Sequence, residues 1–425
     1  MPLTGMTVMR RAIVAAFGLI VCSTPLAAQT AARSWGDELP PVAVPDLLAE
    51  FSARTSITTE WPAPPLRRPP TVVRAIYMNA WAFGGQRFWD LVRLADTTEI
   101  NSFVIDVKDD TGYLTYRSEV PTAIAIGANG QIRAKDAAAR LRTLNQHGIH
   151  AIARIVVAKD PLLASHKTAW SVRDANGGLW RDRLNFAWVD AFNDSVWVYA
   201  SQLAAEAVKM GFSEVQFDYV RFPDEPKARM AHAIFPARRP GETTRDGVRR
   251  NLALLRDRVK PLNVPFTIDV FGMTTNVEAD LGIGQIWEDL ITTADVVLPM
   301  VYPSHYYHAM YGAPHPNSEP YRIVKGALAD GLRRKGLISG PTADVRPYLQ
   351  AFTLGHPRYT PEEIREQIRA ASDVGIHSWV LWNARSVYDP RIFLSSPTQP
   401  VQVAVAAHET SRHTRERELE RRGRR

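Results

Sequence analysis

Between Thr71 and about Pro390 the hydrophobic and polar positions fall into short apolar runs separated by longer amphipathic stretches. The short runs predict strands at Val73–Trp81, Ser102–Lys108, His150–Ala158, Glu214–Arg221, Pro265–Gly272, Val296–Tyr302, Val345–Phe352 and Ser378–Asn383. The stretches between them predict helices at Gln86–Thr98, Ala134–His147, Asp190–Met210, Thr243–Lys260, Gln285–Ile291, Tyr321–Arg334 and Pro361–Asp373. Several of these helices run into a glycine, as in His147-Gly148, Met210-Gly211 and Val374-Gly375, which stops a helix and feeds the next strand. Repeated strand–helix units predict a parallel sheet with right-handed crossovers, and eight of them predict closure into a (β/α)8 TIM barrel. A doubly wound open sheet is the competing fold. The length beyond a minimal barrel falls in loops after strands three, four and six, on the face where barrels build their sites.

Charge then appears where the pattern calls for apolar residues. In Glu214–Pro223, Gln216 and Asp218 share one strand face while Val215, Phe217 and Tyr219 take the other. Asp106 and Lys108 share a face in the second strand, as do Thr267 and Asp269 in the fifth. Three strands therefore point a carboxylate inward near their C-terminal ends, and each must be paired, hydrogen-bonded or protonated. A structural ion-pair network would join Lys108 to Asp106, and Arg154 or Arg221 to Asp218. A functional pocket would use the same acids at one rim. Aromatic and polar side chains gather at the ends of the first, sixth and eighth strands: Trp81, Tyr302, His305, His308, Trp379, Trp382 and Asn383. Rings beside carboxylates suit sugars, whose C–H faces stack while their hydroxyls bond to Asp, Asn, Arg and His; core filling is the ordinary reading for Trp81 or Trp382 taken singly.

Composition changes this picture only at the ends. The chain is 45% hydrophobic and 22% charged, as soluble globular proteins are. Arg10 and Arg11, the apolar run Ala12–Cys22 and the small residues up to Ala28 read as a secretory signal peptide over residues 1–28. The run is too short to span a membrane. A periplasmic or secreted protein follows, cut after Ala28. Its mature form would hold no cysteine, because the single Cys22 lies in the leader, so a large core must hold it. Residues 29–70 read as a proline-rich linker. The net charge of +7 is not a nucleic-acid signal, since Ser411–Arg425 alone carries seven Arg against three Glu. Residues 391–425 read as a basic, solvated tail, with contact to an anionic envelope surface as the functional alternative.

Five segments then occur in a telling order: Ile105–Asp110 (Ile-Asp-Val-Lys-Asp-Asp), Val215–Pro223, Ile268–Gly272, Pro299–Tyr306 and Trp379–Asn383 (Trp-Val-Leu-Trp-Asn). This series resembles the glycosyl hydrolase domain family catalogued as domain of unknown function 4015, over Thr71 to about Pro390. The resemblance implies a (β/α)8 barrel distantly similar to the α-amylase-type hydrolases. It places Asp218 where those enzymes carry a nucleophile at the end of strand four. Asp269 stands where their acid ends strand five, although theirs is a Glu.

Glycosidic cleavage needs one carboxyl group to protonate the leaving oxygen and another to attack or stabilise the oxocarbenium-like centre. Their pKa values must be pushed apart. Asp218, close in sequence to Arg221, is the expected ionised partner; Asp269, framed by Ile268, Val270 and Phe271, is the expected protonated one. Asp106, Lys108, Asp109, Arg221, Tyr302, His305, Trp379 and Asn383 are the expected substrate-binding residues. The partner would be a polysaccharide or oligosaccharide, with no cofactor or metal required, no nucleic acid and no membrane span in the mature chain. Three rivals stand beside this reading: a carbohydrate-binding barrel without turnover, a Schiff-base lyase using Lys108, and a metal hydrolase using His305 and His308. The last rests on a weak His-x-x-His spacing. No Gly-rich phosphate loop or Ser-His-Asp signature supports nucleotide or acyl-transfer chemistry.

Overall fold

The computed structural model describes residues 68–395. The expected leader, nearly all of the linker and the chain beyond residue 395 lie outside the described residues. Parallel strands form one closed sheet: β1 Arg74–Met78, β2 Ser102–Lys108, β3 His150–Val156, β4 Glu214–Asp218, β5 Phe266–Phe271, β6 Val296–Met300, β7 Asp344–Val345, β8 Tyr348–Gln350 and β9 Trp379–Trp382. Successive strands pair in register from β1 to β6, and β9 returns to β1 to close the ring. The seventh stave is two pieces rather than the single run expected from sequence. β7 pairs with the start of β6, whereas β8 joins its end to β9. The break falls at Arg346-Pro347, where proline has no N–H for the ladder. Counted as one stave, β7 and β8 complete the eight of a (β/α)8 barrel.

The principal helices lie close to the predicted ones: Arg87–Thr97, Ala137–Gln146, Asp194–Met210, Thr244–Val259, Trp287–Ile291, Pro320–Lys335 and Pro361–Ser372. The third starts four residues later than the apolar pattern suggests. Asn193 caps it through Ser195 N, and Asp190 is occupied in holding the backbone N–H groups of Phe192 and Ala237. It ends at Gly211, whose φ of 124° a side chain would strain. Capping boxes open two others, at Thr243 with Asp246 and at Thr360 with Glu363.

Strand parity divides the apolar residues into two layers. Ala75, Tyr77, Val104, Ile152, Leu298, Tyr348 and Val380 fill the barrel interior. Ile76, Phe103, Ile105, Ile155, Phe217, Ile268 and Leu381 face the helices, against Trp197, Leu203, Leu255 and Trp287. Full burial of such a side chain contributes about 1.5–3 kcal/mol, so a core of this extent holds the domain without a covalent bond. The domain does not stop at residue 390, where the sequence reading begins the tail. Phe393 is buried, Leu394 exchanges hydrogen bonds with Glu99, and Ser395 bridges Thr98. No helix among the described residues is long and apolar enough to cross a membrane.

Candidate active site

Charged residues enter the barrel interior at two levels. At its N-terminal end, the floor, Glu214 of β4 accepts from Arg346 Nη1 at 2.6 Å and bonds His150 Nε2 of β3 at 3.0 Å. Burial pushes the Glu214 carboxyl up, but the Arg346 charge and the two hydrogen bonds outweigh it and carry the pKa down to about 2.

At the C-terminal end, the mouth, the ratio is reversed. Arg154 of β3 is the central cation, 4% exposed. Its Nη1 donates to Asp106 Oδ1 of β2 at 2.5 Å. Nε and Nη2 both donate to Asp218 Oδ2 of β4, the first at 3.2 Å. Nε also lies 3.8 Å from Asp269 Oδ2 of β5. One guanidinium thus serves carboxylates from three strands. Burial raises Asp106 to about 6 despite Arg154 and a hydrogen bond from the Tyr77 hydroxyl. Asp269 is driven well above the usual carboxylate range, first by burial and then by the charge of Asp218. Arg154 and a 2.9 Å hydrogen bond from Gln216 Nε2 offset only part of this, and Asp269 Oδ1 has no partner.

A cavity of about 470 Å³ opens over this cluster, and its wall includes Arg154, Asp218, Tyr219, Arg221, Asp224, Phe271, Tyr302, His305, Tyr348 and Trp382. Trp382 stacks on Tyr77 with ring centroids 3.9 Å apart and packs under the Arg154 guanidinium. Tyr302 meets His305 and Phe352 edge to face. At Gly272 a Cβ would sit 2.3 Å from the Met300 carbonyl oxygen, so only glycine lets the chain leave β5 this close to β6.

Of the expected site residues, Asp218, Arg221, Tyr302 and His305 line the cavity, and Asp106 and Asp269 join the Arg154 cluster from within the barrel. Arg221 is not the partner of Asp218; Arg154 is. Asp269 lies one layer below the mouth, because Phe271, the next inward residue of β5, is the one that reaches the cavity. At 1% exposure it lies beneath the cavity lining rather than at the surface where its expected role as proton donor would put it.

Four other residues are placed elsewhere. The register slips between Asp106, opposite Arg154, and Lys108, opposite Ile155. That slip turns Lys108 to the helix side, where it is 1% exposed, paired with Asp160 and near the Tyr199 ring. Lys108 therefore faces away from the cavity, where both its expected substrate contact and the Schiff-base alternative would need it. Asp109 closes the turn after β2 by accepting from Thr111 N and the Thr111 hydroxyl. Trp379 pairs with Arg74 at the floor end of β9 and packs outward against the helices. Asn383 ties two loops together, donating to Ala351 O at 2.6 Å and accepting from Arg385 N. Sequence reasoning passed over Tyr77 and Tyr348, named Gln216 only as sharing a face with Asp218, and treated Trp382 and Arg154 as structural. The signal for them was strand parity: each stands an even number of positions from an inward neighbour in a strand already identified.

The family described as "Putative glycosyl hydrolase domain" matches residues 75–388. Among solved structures, the glycoside hydrolase domain of PgaB (BpsB) from Bordetella bronchiseptica aligns with 74% of this chain and 95% of its own, at 14% identity and a TM-score of 0.52. It shares the fold. A hypothetical protein from Ruminiclostridium thermocellum is 37% identical over 43% of this chain and 92% of its own, with a TM-score of 0.38. An α-galactosidase from Thermus thermophilus, solved with p-nitrophenyl α-D-galactopyranoside, aligns at 17% identity over 78% of this chain and 60% of its own, with a TM-score of 0.45. No curated protein matches the chain.

Proposed function

The chain belongs to the Putative glycosyl hydrolase domain family, and from that premise we propose that it hydrolyses glycosidic bonds of an envelope or environmental polysaccharide. The observation that carries this reading is the Arg154 cluster: carboxylates from β2, β4 and β5 around one cation, under an open cavity walled with rings. Asp218 is the carboxylate that meets the sugar, as nucleophile or as the charge stabilising an oxocarbenium-like centre. Asp269 stays protonated beneath it, which keeps a third negative charge out of the space that Asp106 and Asp218 share with Arg154. The proton for the leaving oxygen must come from the cavity wall, where Asp224 and His305 are the acid–base groups outside the Arg154 cluster.

The test is reducing-end release from a panel of polysaccharides and peptidoglycan, with wild type and Asp218→Asn side by side. Release by wild type alone supports the proposal; equal release by both removes Asp218 from the mechanism. A second reading, a carbohydrate-binding barrel without turnover, draws on one observation. Both Asp218 oxygens are occupied, Oδ1 by Tyr219 N at 2.6 Å and Oδ2 by Arg154. Saturable glycan binding with no release of reducing ends would favour it.

We also propose that the protein works in the periplasm or outside the cell, a reading supported by the basic start, the short apolar run and the small residues before Gln29. A mature N-terminus at Gln29, read from the exported protein, is the expected result; recovery of the unprocessed chain in the cytoplasm would refute it.

A further inference from the structure

Arg221 stands apart from the other buried cations of the barrel. Arg154 and Arg346 each face a carboxylate across a hydrogen bond. Arg221 is 8% exposed and lies on the cavity wall, yet no carboxylate among the described residues pairs with it. Its one protein acceptor is the neighbouring Phe222 carbonyl, 3.0 Å from Nη1. A guanidinium has five N–H donors in a planar fork, so most of this one's capacity is unused. Rings hold it instead: the guanidinium carbon lies 4.6 Å from the centroid of Tyr219, 4.7 Å from Phe271 and 5.4 Å from Trp188. Such contacts recover part of the cost of desolvation, not the whole. Asp224 lines the same cavity but is exposed and forms no ion pair with it.

The backbone explains how Arg221 reaches the cavity. Asp218 ends β4 facing inward, and an ordinary extended continuation would turn Tyr219 away. Tyr219 instead adopts a φ of 54°, a left-handed conformation uncommon for a bulky residue. Asp218, Tyr219 and Arg221 all reach the cavity as a result. We infer that the substrate is an acidic glycan, and that Arg221 binds a sugar carboxylate held next to the ring positioned over Asp218. This rests on the glycoside hydrolase reading of the cavity and names its substrate class. A carboxylate matches the fork of Arg221 by two parallel N–H···O bonds and supplies the counter-charge that no neighbouring side chain gives it.

The experiment measures binding, so that it does not depend on turnover. Full-length mature Asp218→Asn protein is titrated by tryptophan fluorescence with oligoglucuronate and oligogalacturonate, and with the same oligosaccharides after carboxyl reduction. The acidic forms should bind about 10-fold tighter or more, the worth of one charge-assisted pair. Adding Arg221→Gln should erase that preference, so that charged and reduced forms bind alike, while Arg221→Lys should keep part of it. Equal binding of charged and reduced sugars overturns the inference, as does a preference that survives Arg221→Gln. Should the Arg221 variants fold poorly, the charged-against-reduced comparison decides by itself. Tight acidic binding without reducing-end release by wild type would sink the hydrolase reading and keep this one. Cleavage of charged and reduced glycans at equal rates would do the reverse.

Discussion

The two charged clusters inside this barrel use the same ingredients in opposite proportions. At the floor, one carboxylate, Glu214, has both a guanidinium and an imidazole to itself. At the mouth, three carboxylates divide one guanidinium. Burial is near complete in both places, so desolvation alone does not separate them. Stoichiometry does. A buried acid with a guanidinium of its own and a further hydrogen bond is held ionised down to about pH 2 and has no proton to trade at neutrality. Buried acids that outnumber their cation are pushed upward, Asp106 to about 6 and Asp269 further, into the range where protons move. The floor cluster fastens staves together, and the mouth cluster is poised to titrate.

The sharpest break of this comparison is a matched pair of substitutions. Asp218→Asn should cut the rate of reducing-end release by about 10³-fold, within the range for loss of a reacting acid or base, with little change in melting temperature. Glu214→Gln should do the opposite, lowering stability by about 3–5 kcal/mol because Arg346 loses its counter-charge, while the surviving folded fraction keeps its specific activity. Urea unfolding beside the activity assay separates the two outcomes.

Next comes pH, where the clusters should pull with opposite signs. The folded-state pKa of Asp106 is raised, so its contribution to stability is complete below pH 3.8 and is lost as pH climbs through about 6. Asp269 adds to that decline at higher pH. Glu214 is depressed, so its contribution is complete above pH 4.5 and is lost as pH falls through about 2. Each swing is on the order of 3 kcal/mol, at about 1.4 kcal/mol per unit. Unfolding free energies at pH 3, 5 and 7 should show the mouth's decline shrink in Asp106→Asn, leaving the share of Asp269, and the floor's acid loss vanish in Glu214→Gln.

Gly272→Ala should cost about 1–3 kcal/mol, as overpacking does, and should disturb turnover at the mouth without touching the floor. The smallest effect expected is that of Trp382→Leu. Loss of its stacking face should raise KM by a few fold, about 0.5–1.5 kcal/mol, at nearly constant kcat. An unchanged KM would make Trp382 a packing residue only.

The barrel was legible because its signals are local and repeated. Glycines stop helices, short β-branched runs follow them, and the alternation recurs along the chain. The mouth was legible in part, since Asp106, Asp218 and Asp269 each break an apolar strand at a position whose parity can be counted. Lys108 shows where counting fails. Period-two arithmetic puts it beside Asp106, but the slip at Val107 reverses its direction, and neither Gly nor Pro marks the spot. Trp379 and Trp382 failed for a simpler reason. Both lie in one short strand, and only the position of Val380 in the interior tells which ring points in. Arg154 was visible as a lone charge in His150–Val156, but its choice among three acids depends on how β2, β4 and β5 close around it. Arg154 and Arg221 both stood open as partners of Asp218 in the sequence, and the left-handed turn at Tyr219 takes Arg221 to another part of the wall.

The clasp of Leu394 and Ser395 onto Thr98 and Glu99 fixes where the described chain leaves the barrel. Those partners precede β2, and Arg74, which pairs with Glu99, opens β1. The polypeptide consequently comes in and goes out on the underside. Both ends of the described chain therefore lie on the face opposite the aromatic rim and leave the cavity unobstructed.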